Sequence, residues 1–377
     1  MDSQSKPTAK ADDRKAAGYK RLLGCVGLIM LGCIFLISGL WIYNQTLPCN
    51  GMDVLLKLSG CQGRTKIFSS SIFRLSKKGD LIVSLVYDRK KELDILDLNT
   101  NVLKQIRSDD GLFGGHGDGD LTDDLALSND GNYAAIVSSG YLGLVQLKVE
   151  QPQPVWLDLA ENEYATRVAF SPDDKTMAAA IHSDSDYLAF YSTAGGKRIA
   201  ELKGDGDNHA VAYSPNGEAV TSFGGKIQFW DPNTQTVERE FGSDLSVHSL
   251  LFSPDGVLLA ATTGQNYSSK MAIDVFRVDD GEQLYHLSFD PRESFDEDVK
   301  ISFSPNSQML AASSCSEIVL YQLSDGELVR DFSPYRENFG LSIPCLGDVQ
   351  FASDGKSVYY AWAKEYSNAT INKMALP

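Results

Sequence analysis

VAFSPDD at 168–174, VAYSPNG at 211–217, LLFSPDG at 250–256 and ISFSPNS at 301–307 are one phrase written four times. In each, an apolar strand-forming triplet runs into a serine and then into Pro, Asp, Asn or Gly, the residue types that tight turns favour. Looser copies extend the series: FRLSKKG at 73–79, LALSNDG at 125–131 and VQFASDG at 349–355. Measured at the residue before the turn (Leu75, Leu127, Phe170, Tyr213, Phe252, Phe303 and Phe351), the spacings are 52, 43, 43, 39, 51 and 48.

Each copy opens a unit with the same internal order. A second apolar strand follows the turn, such as TMAAAI (176–181) or VLLAAT (257–262). A third follows as LDILD (93–97), LGLVQ (142–146), LAFYS (188–192), IQFWD (227–231), IDVFR (273–277), IVLYQ (318–322) and INKMA (371–375). A polar turn and a fourth strand close the unit, as in NTQTVEREF (233–241) and SDGELVRDF (324–332). Four strands every 40–45 residues or so, with period-two alternation between turns, is the pattern of a propeller blade. On these strings, and on the Trp230-Asp231 dipeptide, residues 53–377 resemble the WD-repeat family. Leu96, Val145, Tyr191, Phe276, Tyr321 and Met374 stand where that tryptophan stands in the other units. The resemblance implies an all-β, seven-bladed β-propeller. The seventh unit runs through strands near 348–352, 357–363 and 370–376 and then stops, one strand short. The segment 50–60, NGMDVLLKLSG, reads like a fourth strand, and in WD-like rings an N-terminal strand often completes the last blade. That arrangement removes an exposed sheet edge, so the propeller is expected to span 50–377, with 50–60 closing its last blade.

Ahead of the propeller lies a different kind of sequence. Leu22 to Tyr43 are 22 residues without a charge, ending in Trp41-Ile42-Tyr43. As a helix they rise about 33 Å, enough for a hydrocarbon core of about 30 Å. Residues 1–21 carry six Lys/Arg and three Asp, so the N-terminal side is the basic one and is expected to stay in the cytoplasm. The competing reading is a cleaved signal peptide, whose apolar core is shorter, about 7–15 residues, and ends in small residues. The reading adopted is a single-pass cell-membrane protein: a cytoplasmic tail (1–21), one N-terminal transmembrane helix serving as signal-anchor (22–43), a linker (44–49) and an extracytoplasmic propeller. Outside the cytoplasm disulfides persist. Cys315, in a second-to-third-strand turn, and Cys345, in the connection into the last blade, fall on one face and form the preferred bridge. Cys49–Cys61 is the alternative, at odds with an extended strand between them.

Function is less legible. A net charge of −16 makes nucleic acid a poor partner. No HExxH, CxxC, Walker loop or GxSxG occurs, and the five histidines have no companion motif. The protein is therefore read as a non-enzymatic interaction platform without a required cofactor. A propeller hydrolase or lyase, and a metal-dependent adhesion or sensing domain, are the alternatives. The longest blade-to-blade connections, 108–124, 290–298 and 333–347, share the face that points away from the membrane. Within them, Asp118, Asp120, Asp123, Asp124, His116, Phe295, Asp296, Tyr335 and Phe339 are the candidate binding residues for a cationic protein or peptide partner. Acids steer such a partner and aromatics anchor it. The two Gly-Asp-Gly-Asp runs supply Asp118, Asp120, Asp205 and Asp207 as candidate Ca²⁺ ligands, because carboxylates on Gly-rich loops suit a hard cation.

Overall fold

In the computed structural model the residues described are 72–88, 90–106, 124–204, 206, 208–231, 234, 236–242, 244–264, 271–289, 299–314, 317–332, 346–363 and 369–376. They form an all-β, seven-bladed propeller. Six sheets have four strands and the seventh has three, each strand pairing antiparallel with its neighbour in sequence. The third strands coincide with the strings read from sequence, from Lys90–Asp97 in blade 1 to Ala369–Ala375 in blade 7. Blade 7 comprises Leu346–Phe351, Ser357–Ala363 and Ala369–Ala375. The segment 50–60 and the candidate span 22–43 lie outside the described residues. Among the described residues no helix is long and apolar enough to cross a membrane.

The second strands read as nearly continuous apolar runs because both their faces are buried. In blade 3, Met177, Ala179 and Ile181 point toward blade 2, while Ala178 and Ala180 point toward blade 4. The alternation of a strand thus assigns each side chain to one of two neighbours. Seven apolar clusters result, one at each seam between adjacent blades, which makes the ring closed. The residues standing at the tryptophan position belong to these seams. Trp230, 5% exposed, meets Phe223 edge-on and donates Nε1–H to Thr221 at 3.2 Å. In blades 3 to 6 the pairing of the third and fourth strands slips at this same position, at Tyr191, Trp230, Phe276 and Tyr321.

The recurring serine turn is a hydrogen-bonded device. Ser253 Oγ donates to Asp255 at 2.6 Å and accepts the Leu258 amide at 2.9 Å. Ser128 with Asp130 and Tyr133, Ser171 with Asp173 and Thr176, and Ser304 with Asn306 and Met309 repeat it. The residue closing the turn has a positive φ in all seven copies. Five are glycines, and the two exceptions use their side chains to reach the preceding blade. Asp174 accepts the Asn129 and Asp130 amides at 2.7 and 2.9 Å, and Ser307 Oγ accepts the Asp255 amide at 3.2 Å.

These turns make stability acid-sensitive. The Ser171 hydroxyl, and then the Lys175 amide, hold the Asp173 carboxyl below its ordinary range. The Lys356 amide does the same for Asp354. At Asp130 and Asp255 burial pushes upward, but hydrogen bonds to the ionised form prevail and the net shift is down. A carboxyl with a depressed folded pKa stabilises above its unfolded value, near 4, and loses that contribution as pH falls through the folded value. The melting temperature should therefore hold between about pH 7 and 5 and fall below about pH 4. Asn306 already fills the Asp role in blade 6. Changing Asp130, Asp173, Asp255 and Asp354 to Asn should therefore shallow the acid limb of a melting-temperature profile. An unchanged limb would place the acid sensitivity elsewhere.

Candidate functional site

Strand order gives the ring two chemically distinct faces. The first-to-second and third-to-fourth strand turns share one. The second-to-third turns and the blade-to-blade connections share the other. On the turn face the carboxylates of the serine turns are engaged with their own backbone, as described above. The connections that carry most of the sequence-derived candidates enter the other face. His116, Asp118, Asp120, Asp123, Phe295, Asp296, Tyr335, Phe339, Asp205, Asp207, Cys315 and Cys345 all lie outside the described residues.

Asp124 is described, and it has partners. It opens the first strand of blade 2, Asp124–Leu127. Its Oδ1 accepts the Leu125 amide at 2.9 Å and lies 3.4 Å from Arg74 Nη2. Its Oδ2 accepts the Val168 amide of blade 3 at 3.0 Å. Its carboxylate is thus held between blades, at the end of the connection that makes it a candidate binding residue. Among the described residues no group of three or more His, Cys, Asp or Glu is placed to hold a metal ion.

Two His–Asp pairs emerge that the sequence did not announce. On blade 5, Asp274 is 4% exposed and lies opposite His286 in the strand pairing. It receives hydrogen bonds from Thr263 Oγ1 and Gln283 Nε2 at 2.7 Å each, and lies 2.6 Å from His286 Nδ1. On blade 3, Asp186 lies 2.9 Å from His182 Nδ1 and accepts the Ser183 amide at 3.1 Å. In blade 5 the hydroxyl at hand, Thr263, bonds the aspartate rather than the imidazole. That is not the order in which a base activates a nucleophile. The signal available in sequence was the aspartate in an otherwise apolar third strand, IDVFR, shared with LDILD of blade 1.

The connection face also carries a groove of about 450 Å³ on blade 3, which sequence reading missed. Glu161 to Glu163, Ser183 to Ser185, Tyr187, Glu201 and Lys203 line it. Beside it the Arg198 guanidinium sits 4.8 Å over the Tyr187 ring, 3.7 Å from Glu163 and 3.3 Å from Glu201. Burial drives the Tyr191 hydroxyl beside this cluster up to about 12. Two of the groove's four acids, Glu163 and Glu201, contact Arg198. Four acids thus face two cations, Arg198 and Lys203, and the groove keeps a net negative charge.

No family model and no curated protein matches the chain. Solved structures do match, 1456 chains of them, a breadth that marks a common architecture. Kuenenia stuttgartiensis hydrazine synthase is 15% identical at a TM-score of 0.60, over 85% of this chain and 99% of that one. The β-propeller domain of Myceliophteria thermophila Cps50 (Swd1) is 17% identical at a TM-score of 0.59, over 84% and 99%. At these identities the likeness is one of fold alone. One fold serves many functions.

Proposed function

We propose that the chain is a membrane-anchored, extracytoplasmic interaction platform that presents the connection face of its propeller to a cationic protein or peptide, without catalysis. The observation that supports this reading is the contrast between the faces. Short turns on one face spend their carboxylates on their own backbone, as at Asp173 and Asp255. The long acidic and aromatic insertions all enter the other, between Ile106 and Asp124, Phe289 and Lys300, and Phe332 and Leu346. A ring whose long insertions all leave from one side suits binding there. The apolar run 22–43 behind a basic tail supports the anchor, and its flanking charge supports an outward-facing body.

The test has two arms. Protease added to intact cells or sealed right-side-out vesicles should digest the propeller and spare the tail, and complete protection would reverse the topology. In the second arm, crosslinked partner is recovered from native membranes at low and high salt. Asp118→Asn, Asp120→Asn and Asp123→Asn together should lower recovery about tenfold at low salt and flatten its salt dependence. Asp124 stays intact because of its role between blades. Asp173→Asn with Asp255→Asn, on the turn face, should leave recovery unchanged. Equal losses from both sets, or none from either, would remove the connection face as the binding surface.

A further inference from the structure

Blade 4 builds its first-to-second-strand turn differently from the other blades. In the other six copies the amide of the first turn residue donates to a carbonyl five residues on, as Ser253 does to Leu258. In blade 4 Ser214 donates to Glu218, four residues on. The shorter turn changes the bonding inside it. In blades 2, 3, 5, 6 and 7 the third turn residue (Asp130, Asp173, Asp255, Asn306 or Asp354) accepts the amide two residues further on at 2.8–3.2 Å. In blade 4 that amide, of Glu218, donates to Ser214 Oγ at 3.1 Å instead, and the Ser214 hydroxyl donates to the Glu218 carboxylate at 3.2 Å. Asn216, the third residue here, is exposed, and none of the described residues bonds its side-chain amide.

A free asparagine amide becomes reactive when the next main-chain nitrogen can reach its Cγ, and the next residue is Gly217. The sequence holds two Asn-Gly pairs, Asn50-Gly51 and Asn216-Gly217, and the second lies among the described residues. A glycine has no Cβ to block close approach, and its backbone turns freely. Gly217 stands at φ +97 with nothing within 4 Å of where a Cβ would stand, so the turn has room on that side. Its amide donates to the Ser214 carbonyl at 2.9 Å, and breaking that bond releases the nitrogen. Exposed turns open locally more readily than the buried strands they join.

We propose that Asn216 is a site of spontaneous covalent modification, converted to aspartate or isoaspartate by ring closure onto Gly217. The Gly217 nitrogen bonds to Asn216 Cγ. The side-chain nitrogen leaves as ammonia, taking the Gly217 proton with it, and a cyclic imide remains. Water then opens the imide. Attack at Cγ gives aspartate, and attack at the main-chain carbonyl carbon gives isoaspartate, in which the chain runs through Cγ. The step uses water and releases ammonia, with no oxidant or reductant. Either product puts a new carboxylate on the turn face. Aspartate turns the blade 4 phrase into SPDG, the spelling of blade 5. Isoaspartate lengthens the main chain by a methylene next to Pro215, whose ring lies 3.3 Å from where a Cβ on Gly256 of blade 5 would stand. The chemistry is independent of what the connection face binds.

Folded full-length protein, held at mildly alkaline pH and sampled over weeks, tests this by peptide mass spectrometry. Fragmentation places each new carboxyl and tells isoaspartate from aspartate. Asn306 is the internal control. It is exposed too, but Ser304 Oγ and the Gln308 amide donate to its Oδ1 at 2.7 and 3.2 Å, and its Nδ2 donates to Gln308 Oε1 at 3.0 Å. Asn216 should convert at least about tenfold faster than Asn306, and faster as pH rises, because the attacking nitrogen must lose its proton. Ser307→Gly separates the dipeptide from the bonding. It writes Asn-Gly in blade 6 as well, while Ser304 and Gln308 still hold Asn306. In that variant Asn306 should still convert about tenfold more slowly than Asn216. Should it not fold, the comparison within the parent carries the test. Asn216→Gln, whose longer side chain closes the ring poorly, should gain no carboxyl at 216. No conversion at Asn216, conversion no faster than at Asn306 in the parent, or equal conversion of both in Ser307→Gly would each overturn the proposal.

Discussion

Phe229→Ala is expected to lower stability by about 3–5 kcal/mol, the usual range for emptying a buried phenylalanine site. Phe229 is fully buried on the third strand of blade 4, Lys226–Asp231. Its ring lies 5.5 Å from that of Phe241 and 6.1 Å, edge-on, from that of Phe252 in the next blade. The Arg239 guanidinium covers it at 3.8 Å. Removing the ring loses its transfer energy and leaves a void that rigid strands on both sides have little freedom to close. It also strips the apolar stem of Arg239 from its support. Urea denaturation of parent and variant measures the change directly. A loss below about 1 kcal/mol would mean that the neighbouring blades collapse onto the space, and that the seam is softer than its geometry implies.

Gly281→Ala should act on the same seam from the turn face, at a cost of about 3 kcal/mol. Gly281 has φ +71, and its amide donates to the Arg277 carbonyl at 2.9 Å to close the third-to-fourth-strand turn of blade 5. A Cβ there would lie 2.7 Å from the Phe241 ring, which itself packs on Phe229 and Phe276. The substitution therefore adds backbone strain to a steric push on the aromatic cluster. Gly195 separates the two effects. Its φ is +91 and nothing lies within 4 Å of where a Cβ would stand, so Gly195→Ala should cost only the strain, about 1–2 kcal/mol. Equal losses from both variants, measured by the same denaturation, would show that contact with Phe241 contributes nothing.

The strand strings and turns were legible because they are local. VAFSPDD and its copies specify a turn through bonds that span five residues or fewer, such as Ser171 to Thr176. Alternation in TMAAAIH sorts side chains between two faces without reference to the rest of the chain. The polar contacts are not local. Asp124 stands among the candidate binding acids, and the structure seats it between Arg74 and the Val168 amide. Nothing in the sequence around His286 marks it, and the strand pairing sets it against a buried Asp274.

The sequence by itself determined that the chain makes seven sheets of this kind, because period-two patterning and turn chemistry act between near neighbours. Only the tertiary structure decided which carboxylates find their partners on another blade. Arg74 and Asp348 are 274 residues apart, and nothing in either strand names the other. They meet because ring closure brings the first blade against the last, and a charge buried there must find its counter-ion in whatever the closed ring places beside it.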